Sequence, residues 1–234
     1  MPVIQVGDIA MYYEVHGTGE PLLLIPGLAT DVSDYARLIP LLASQYRVIA
    51  IDNRGVGRSD KPDAPYSIEQ MAEDAAGVLD ALQIERAHVI GFSMGGRIAV
   101  ALALAHPARV RSLILVSTGV RRPTRRTFSS RLIDFSLRVP FLHGSRAHPQ
   151  PTYAGLRQRD ASRAYDASDR LGEIHVPTLI LHGTRDRTAP YARAEEMHAG
   201  IANSQLIAFP GGHIFFFLRP RPIADAVLAF LATA

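Results

Sequence analysis

Ser93 stands at the centre of Gly91-Phe92-Ser93-Met94-Gly95, with an apolar run before it (Ala87-His88-Val89-Ile90) and a helix-like run after it, from Arg97 to His106. A serine hydroxyl is a weak nucleophile at neutral pH. It needs an imidazole to take its proton and a carboxylate to fix the imidazole tautomer. Two downstream positions could supply them. Asp186 closes Gly183-Thr184-Arg185-Asp186 behind one apolar run, and His213 closes Gly211-Gly212-His213 behind another. Brought together, these groups would attack a carbonyl, pass through a tetrahedral oxyanion and return the proton to the leaving group. Taken singly, each has a plainer use: a serine capping a helix, an aspartate at a helix start, a loop histidine.

The three side chains can meet only if the runs before them are strands of one mostly parallel sheet, whose C-terminal ends share an edge. The pattern supports this, because short apolar runs alternate with segments of helical periodicity. Strands are expected at 3–6 and 11–15, as an antiparallel pair turning at Gly7-Asp8, and at 21–25, 46–51, 88–92, 110–116, 176–181 and 205–208. Helices are expected over 68–82, with Ser67 as cap, over 93–105, near 191–198 and over 222–231. A strand turning sharply into a helix at Ser93 would hold that side chain out from the sheet, and Gly91 and Gly95 would allow the close approach the turn requires. The pattern breaks between Gly119 and Arg170. That stretch holds four prolines and one clear amphipathic piece, Phe128–Val139. It is too long for a plain surface loop and predicts a small helical lid over 119–170, inserted after the sixth strand into a core of 1–118 and 171–234.

Composition narrows the chemistry. The chain has 234 residues, 47% of them apolar and 20% charged, enough to bury one sizeable core. Without cysteine, thiolate catalysis, disulfides and thiolate metal sites are excluded, and the nine histidines lack metal-ligand spacing. No Walker A or G-x-G-x-x-G occurs, and no basic–aromatic interleaving suggests nucleic acid. The N-terminus, with neither a basic start nor a long apolar stretch, predicts an edge strand rather than a signal peptide, and cytoplasmic residence without membrane association. The formal charge of +3 is unevenly spread: residues 119–165 carry ten arginines against two aspartates. Such a lid would gather an anionic substrate, or merely coat a surface with arginine.

Five motifs in order give the chain its resemblance. Leu24-Ile25-Pro26-Gly27-Leu28, Asp52-Asn53-Arg54-Gly55-Val56-Gly57-Arg58-Ser59-Asp60, the Ser93 elbow, His106-Pro107-Ala108-Arg109-Val110 and the Ser…Asp…His order together resemble the α/β-hydrolases, esterases and enol-lactonases especially, over nearly the whole length. The resemblance implies an α/β fold, a Ser93–Asp186–His213 triad and an oxyanion hole made by the backbone N–H groups of Leu28 and Met94. It implies a small ester or lactone as substrate, with no cofactor and no metal. Pro26 stands where the family often has histidine. Asp52 and Arg54 would form a loop-bracing ion pair, and His182 would be structural. Leu28, Phe128, Leu132, Phe135, Phe141 and Ile214 would line an apolar pocket. Ser93-Met94-Gly95-Gly96-Arg97 also resembles the elbow of the menaquinone-pathway enzymes that eliminate pyruvate, where the arginine helps hold a carboxylate. In that reading Arg97 binds substrate; otherwise it is a solvated or ion-paired helix residue. A third possibility is a ligand sensor that keeps the fold and triad with little turnover.

Overall fold

The computed structural model describes residues 2–121, 132, 135–137 and 148–233. Among these, eight strands form one sheet: β1 (Val3–Val6), β2 (Ile9–His16), β3 (Pro21–Ile25), β4 (Arg47–Ile51), β5 (Ala87–Phe92), β6 (Val110–Val116), β7 (Thr178–Gly183) and β8 (Ser204–Phe209). Their spatial order is β1-β2-β4-β3-β5-β6-β7-β8. The first two strands pair antiparallel, as the Gly7-Asp8 turn predicts, and β2 runs antiparallel to β4. All later pairings are parallel.

The inner strands are apolar throughout because both faces are covered. Successive side chains alternate between the faces. Leu23 and Ile25 pack with the helices Ile68–Ala81 and Met94–Ala105. Leu22 and Leu24 pack with the segment Val32–Leu42 and the last helix, Pro220–Leu231. Ser67 caps the Ile68–Ala81 helix, its hydroxyl accepting from the Gln70 N–H at 3.0 Å. No helix among the described residues is long and apolar enough to cross a membrane.

The sheet order carries the consequence for function. β3 lies between β4 and β5, so the chain leaves β3 in one direction and returns on the other side. Ile25 is in register with Gly91. The loop after β3 and the turn after β5 therefore emerge side by side, and at such a switch point the connecting helices diverge and leave a crevice.

One sequence expectation needs correction. Asp52 and Arg54 brace loops, but not as a pair. Asp52 accepts from the Val32 and Arg58 backbone N–H groups, both at 2.8 Å, and from Arg58 Nε at 3.2 Å. Arg54 instead grips Asp74 with two bonds, Nε to Oδ2 at 2.5 Å and Nη2 to Oδ1 at 2.7 Å, and touches Asp8 at 3.2 Å. Within residues 119–170, Phe128–Val139 falls largely outside the described residues, and a helix that the sequence pattern did not locate runs over Thr152–Ala164. Its buried face is Ala154, Gly155, Gln158 and Ala161, a helical spacing written in small residues and one glutamine.

Candidate active site

Ser93 is the single residue between β5 and the Met94–Ala105 helix. Its backbone sits at φ 51° and ψ −112°, a conformation costing a non-glycine residue about 1–3 kcal/mol. Three bonds hold it there. The Ser93 N–H donates to Val116 O at 2.9 Å, while Ser93 O accepts from Thr118 Oγ1 at 2.6 Å and from the Gly96 N–H at 3.0 Å. The glycines permit the approach that the turn needs. A Cβ on Gly91 would lie 2.3 Å from Gly95 O, and one on Gly95 would lie 2.2 Å from Ile25 O. Those obstacles are backbone and cannot turn aside. Gly95→Ala is accordingly expected to cost about 2–3 kcal/mol and to lower Tm by roughly 5–10 °C, read by thermal melting.

The hydroxyl of Ser93 does not cap its own helix. It lies 2.9 Å from His213 Nε2, and His213 Nδ1 lies 2.7 Å from Asp186 Oδ2. The loops bearing these two residues are laced together at the ends of β7 and β8. The Arg185 N–H donates to Gly211 O at 2.8 Å, and a Cβ on Gly183 would meet Gly211 O at 2.7 Å. The Asp186 side chain is fully buried. Its Oδ1 accepts the Thr188 and Ala189 N–H groups at 2.8 and 2.9 Å. Burial alone would push this carboxyl up, but hydrogen bonds from His182 and His213, the charge interaction with His213 and the Ala189 N–H hold it well below the usual carboxylate range.

His182 is more closely involved than its strand-end position suggested. Its Nε2 lies 2.8 Å from Ala189 O and 3.3 Å from Asp186 Oδ2. A carbonyl only accepts, so Nε2 carries a proton, which also faces the carboxylate. Nδ1 is buried and has no partner among the described residues. His182 thus fixes the far side of Asp186.

The loop after β3 is tethered at nearly every polar group. Pro26 O accepts from Asn53 Nδ2 at 3.0 Å, and the Gly27 N–H donates to the Tyr35 hydroxyl at 3.1 Å. The Thr30 N–H and hydroxyl both donate to Gly27 O, at 3.4 and 3.1 Å. The Ala29 N–H donates to Gln158 Oε1 at 3.0 Å. Among the described residues, the N–H groups of Leu28 and Met94 have no protein acceptor. Both residues line a cavity of about 370 Å³ together with Ser93 and His213.

Ile214 and Arg97 also line that cavity. Phe135 is 58% exposed, as is Leu132, and the neighbouring Ser136 and Leu137 face the cavity instead. Phe128 and Phe141 lie outside the described residues. Arg97 is partly buried and, among the described residues, has no carboxylate bound to it. Its Nη1 donates to Ser162 O at 2.7 Å and to Tyr165 O at 3.1 Å, at the C-terminal end of the Thr152–Ala164 helix. A cation there complements the helix dipole. Burial without a carboxylate partner lowers its pKa to about 10. Gln158, Thr118 and Tyr35 carried no sequence signal. Each works through hydrogen bonds to backbone groups: Gln158 to the Ala29 N–H and Arg54 O, Thr118 to Ser93 O, and Tyr35 to the Gly27 N–H.

Fold and site together define a hydrolase of the α/β type. A family model described as "alpha/beta hydrolase fold" matches residues 20–134, and one described as "TAP-like protein" matches 154–234. The chain belongs to the α/β hydrolase fold family. A relative in Azorhizobium caulinodans, provisionally named carbamate hydrolase RutD, is 33% identical, the match covering 98% of each chain. The 2-hydroxymuconate semialdehyde hydrolase of Pseudomonas sp. strain CF600 is 34% identical over 93% of this chain and 89% of its own. Among solved structures, the enol-lactonase from Burkholderia xenovorans LB400 superposes with a TM-score of 0.87 at 26% identity, covering 99% of this chain and all of that one.

Proposed function

We propose that the chain is a serine hydrolase that cleaves a small carboxylic ester or lactone through an acyl-enzyme. The observation that carries this reading is the relay from Ser93 Oγ to His213 Nε2 to Asp186 Oδ2, at 2.9 and 2.7 Å, opening on a cavity lined by Leu28 and Met94, whose N–H groups have no acceptor among the described residues. Ser93 attacks the carbonyl while His213 accepts its proton. Asp186 keeps the imidazole in the tautomer whose Nε2 is free to accept, and faces the imidazolium that forms. The Leu28 and Met94 N–H groups receive the oxyanion, a contact that strengthens as charge develops. His213 then returns the proton to the leaving alcohol and activates water for deacylation. No step calls for a cofactor.

Residues 119–170 act as the lid in this reading. The cavity volume suits a short acyl or lactone ring rather than a long chain. In this reading Arg97 supports the lid: its Nη1 donates to Ser162 O and Tyr165 O and its Nη2 to Arg121 O, which weighs against the pyruvate-eliminating alternative. A carbamate is the second reading, favoured by the 33% identity to the carbamate-hydrolase relative. Its carbonyl would meet the same nucleophile and the same hole. The ligand-sensor reading has no observation in its favour.

The test is transient and steady-state kinetics with p-nitrophenyl acetate and butyrate, a lactone panel and an aryl carbamate. A burst of nitrophenol followed by turnover supports the acyl-enzyme. The relative kcat/KM values then rank ester, lactone and carbamate. A wild-type protein inert toward all three classes would overturn the proposal.

A further inference from the structure

Gln158 is fully buried on the Thr152–Ala164 helix, away from the cavity lining. A buried glutamine is retained without penalty only where its amide is satisfied on both sides. Here Oε1 accepts the Ala29 N–H at 3.0 Å and Nε2 donates to Arg54 O at 2.8 Å. One side chain thus joins the lid helix to the loop after β3 and to the loop after β4. Ala29 needs that hold. Its φ of 59° is left-handed for a residue with a Cβ, and it follows Leu28 directly. At the other end of the helix, Arg97 ties Ser162 and Tyr165 to the helix that begins at Met94. The lid helix is therefore bonded to both elements that carry an oxyanion donor.

We propose that Gln158 is a positioning residue that couples seating of the lid helix to formation of the oxyanion hole, by holding Ala29 left-handed and so aiming the Leu28 N–H into the cavity. This rests on the hydrolase reading above. When the helix lifts, the Ala29 N–H loses its acceptor, the left-handed backbone relaxes, and the Leu28 donor swings away from the oxyanion. The nucleophile and base are unaffected, because their bonds involve neither loop. Substrate would still bind to an unseated enzyme, but acylation would be slow.

The test uses Gln158→Met, which keeps the side chain's length and removes both hydrogen bonds, beside Tyr153→Phe, which removes another lid bond, to Lys61 O at 2.7 Å, without touching the loop after β3. Loss of one oxyanion donor costs 10²–10³-fold, so misdirecting one is expected to lower kcat about tenfold. KM should stay within about twofold, with active sites counted by burst titration. Affinity for butaneboronic acid, a tetrahedral oxyanion mimic, should weaken by about the same tenfold factor. Tyr153→Phe should leave kcat within about twofold. Amide exchange gives a readout independent of activity. In the wild type the Ala29 amide should exchange far more slowly than a free loop amide, and in Gln158→Met the peptide spanning residues 26–35 should exchange faster. Unchanged kcat and boronate affinity in folded Gln158→Met would overturn the proposal, as would equal losses in the two variants. Should Gln158→Met not fold, an Ala29 amide exchanging at free-loop rates in the wild type would overturn it alone. A wild type with no Ser93-dependent turnover would sink the hydrolase reading, and the exchange comparison would still decide the tether.

Discussion

Ser93→Ala is expected to lower kcat on the ester panel by about 10⁴–10⁶-fold and to abolish the burst, while leaving substrate affinity nearly unchanged. Members of a catalytic triad act as a unit, so removing the nucleophile forfeits almost the whole of their joint effect. The structure says why so little else should change. The Ser93 side chain caps no helix, and the bonds holding the elbow, to Val116 O and from Thr118 Oγ1 and Gly96 N–H, all involve backbone atoms of Ser93. Alanine keeps the same Cβ at the same φ. Tm should therefore move by no more than a few degrees, and butaneboronic acid, which needs the serine oxygen, should no longer bind. A Ser93→Ala protein with wild-type turnover would place the nucleophile elsewhere.

Asp186→Asn is expected to be nearly as severe, lowering kcat by about 10⁴-fold, and the argument is one of donors and acceptors. Four hydrogen-bond donors converge on the carboxylate. Thr188 and Ala189 N–H take Oδ1, and His213 and His182 take Oδ2. An asparagine must place its NH₂ on one side or the other. Toward Thr188 and Ala189 it would face two backbone donors that cannot turn away. It is therefore forced toward His213, whose Nδ1 must become the acceptor. The Nε2 then bears the proton and cannot take one from Ser93. Stability should change with a matching pH signature. Because the carboxyl is held below its ordinary value, its contribution is fully present above about pH 4 and is lost as pH falls through the folded value. Wild-type Tm should drop in that acid window, and the Asp186→Asn profile should be flatter there. Identical acid profiles would mean that the carboxylate is not held by these bonds.

The chemistry of this site was legible because punctuation carries it. Gly91, Gly95, Gly183 and the pair Gly211-Gly212 mark the places where backbone approaches backbone, and the reactive side chains follow directly from such turns. Strand positions were legible from apolar runs to within two residues at either end, since both sheet faces are buried. Partnerships were not. Arg54 lies two residues from Asp52, but the tight turn between them sends it to Asp74, twenty positions on, while Asp52 takes Arg58. A helical lid was expected over 119–170, but the place of its helix at Thr152–Ala164 was hidden for a different reason. Hydrophobic periodicity finds a buried face only when it is hydrophobic, and this one is Ala154, Gly155, Gln158 and Ala161. The same substitution of hydrogen bonding for greasiness that hid the helix makes it a strap rather than a plug.

The spacing between Ser93 and His213 has a consequence for how the protein comes into being. Their contact spans 120 positions of sequence, and the strands that deliver them, β5 and β8, are joined through β6 and β7 by parallel pairings made only between distant segments. Such long-range closure comes late. A growing chain can hold the serine elbow only once β6 and Thr118 are in place to bond it, and it holds no base to activate the serine until β8 and the turn beyond have joined the sheet. The relay would therefore form in one step when β8 joins, and each molecule that holds it would certify that the sheet has closed from β5 to β8.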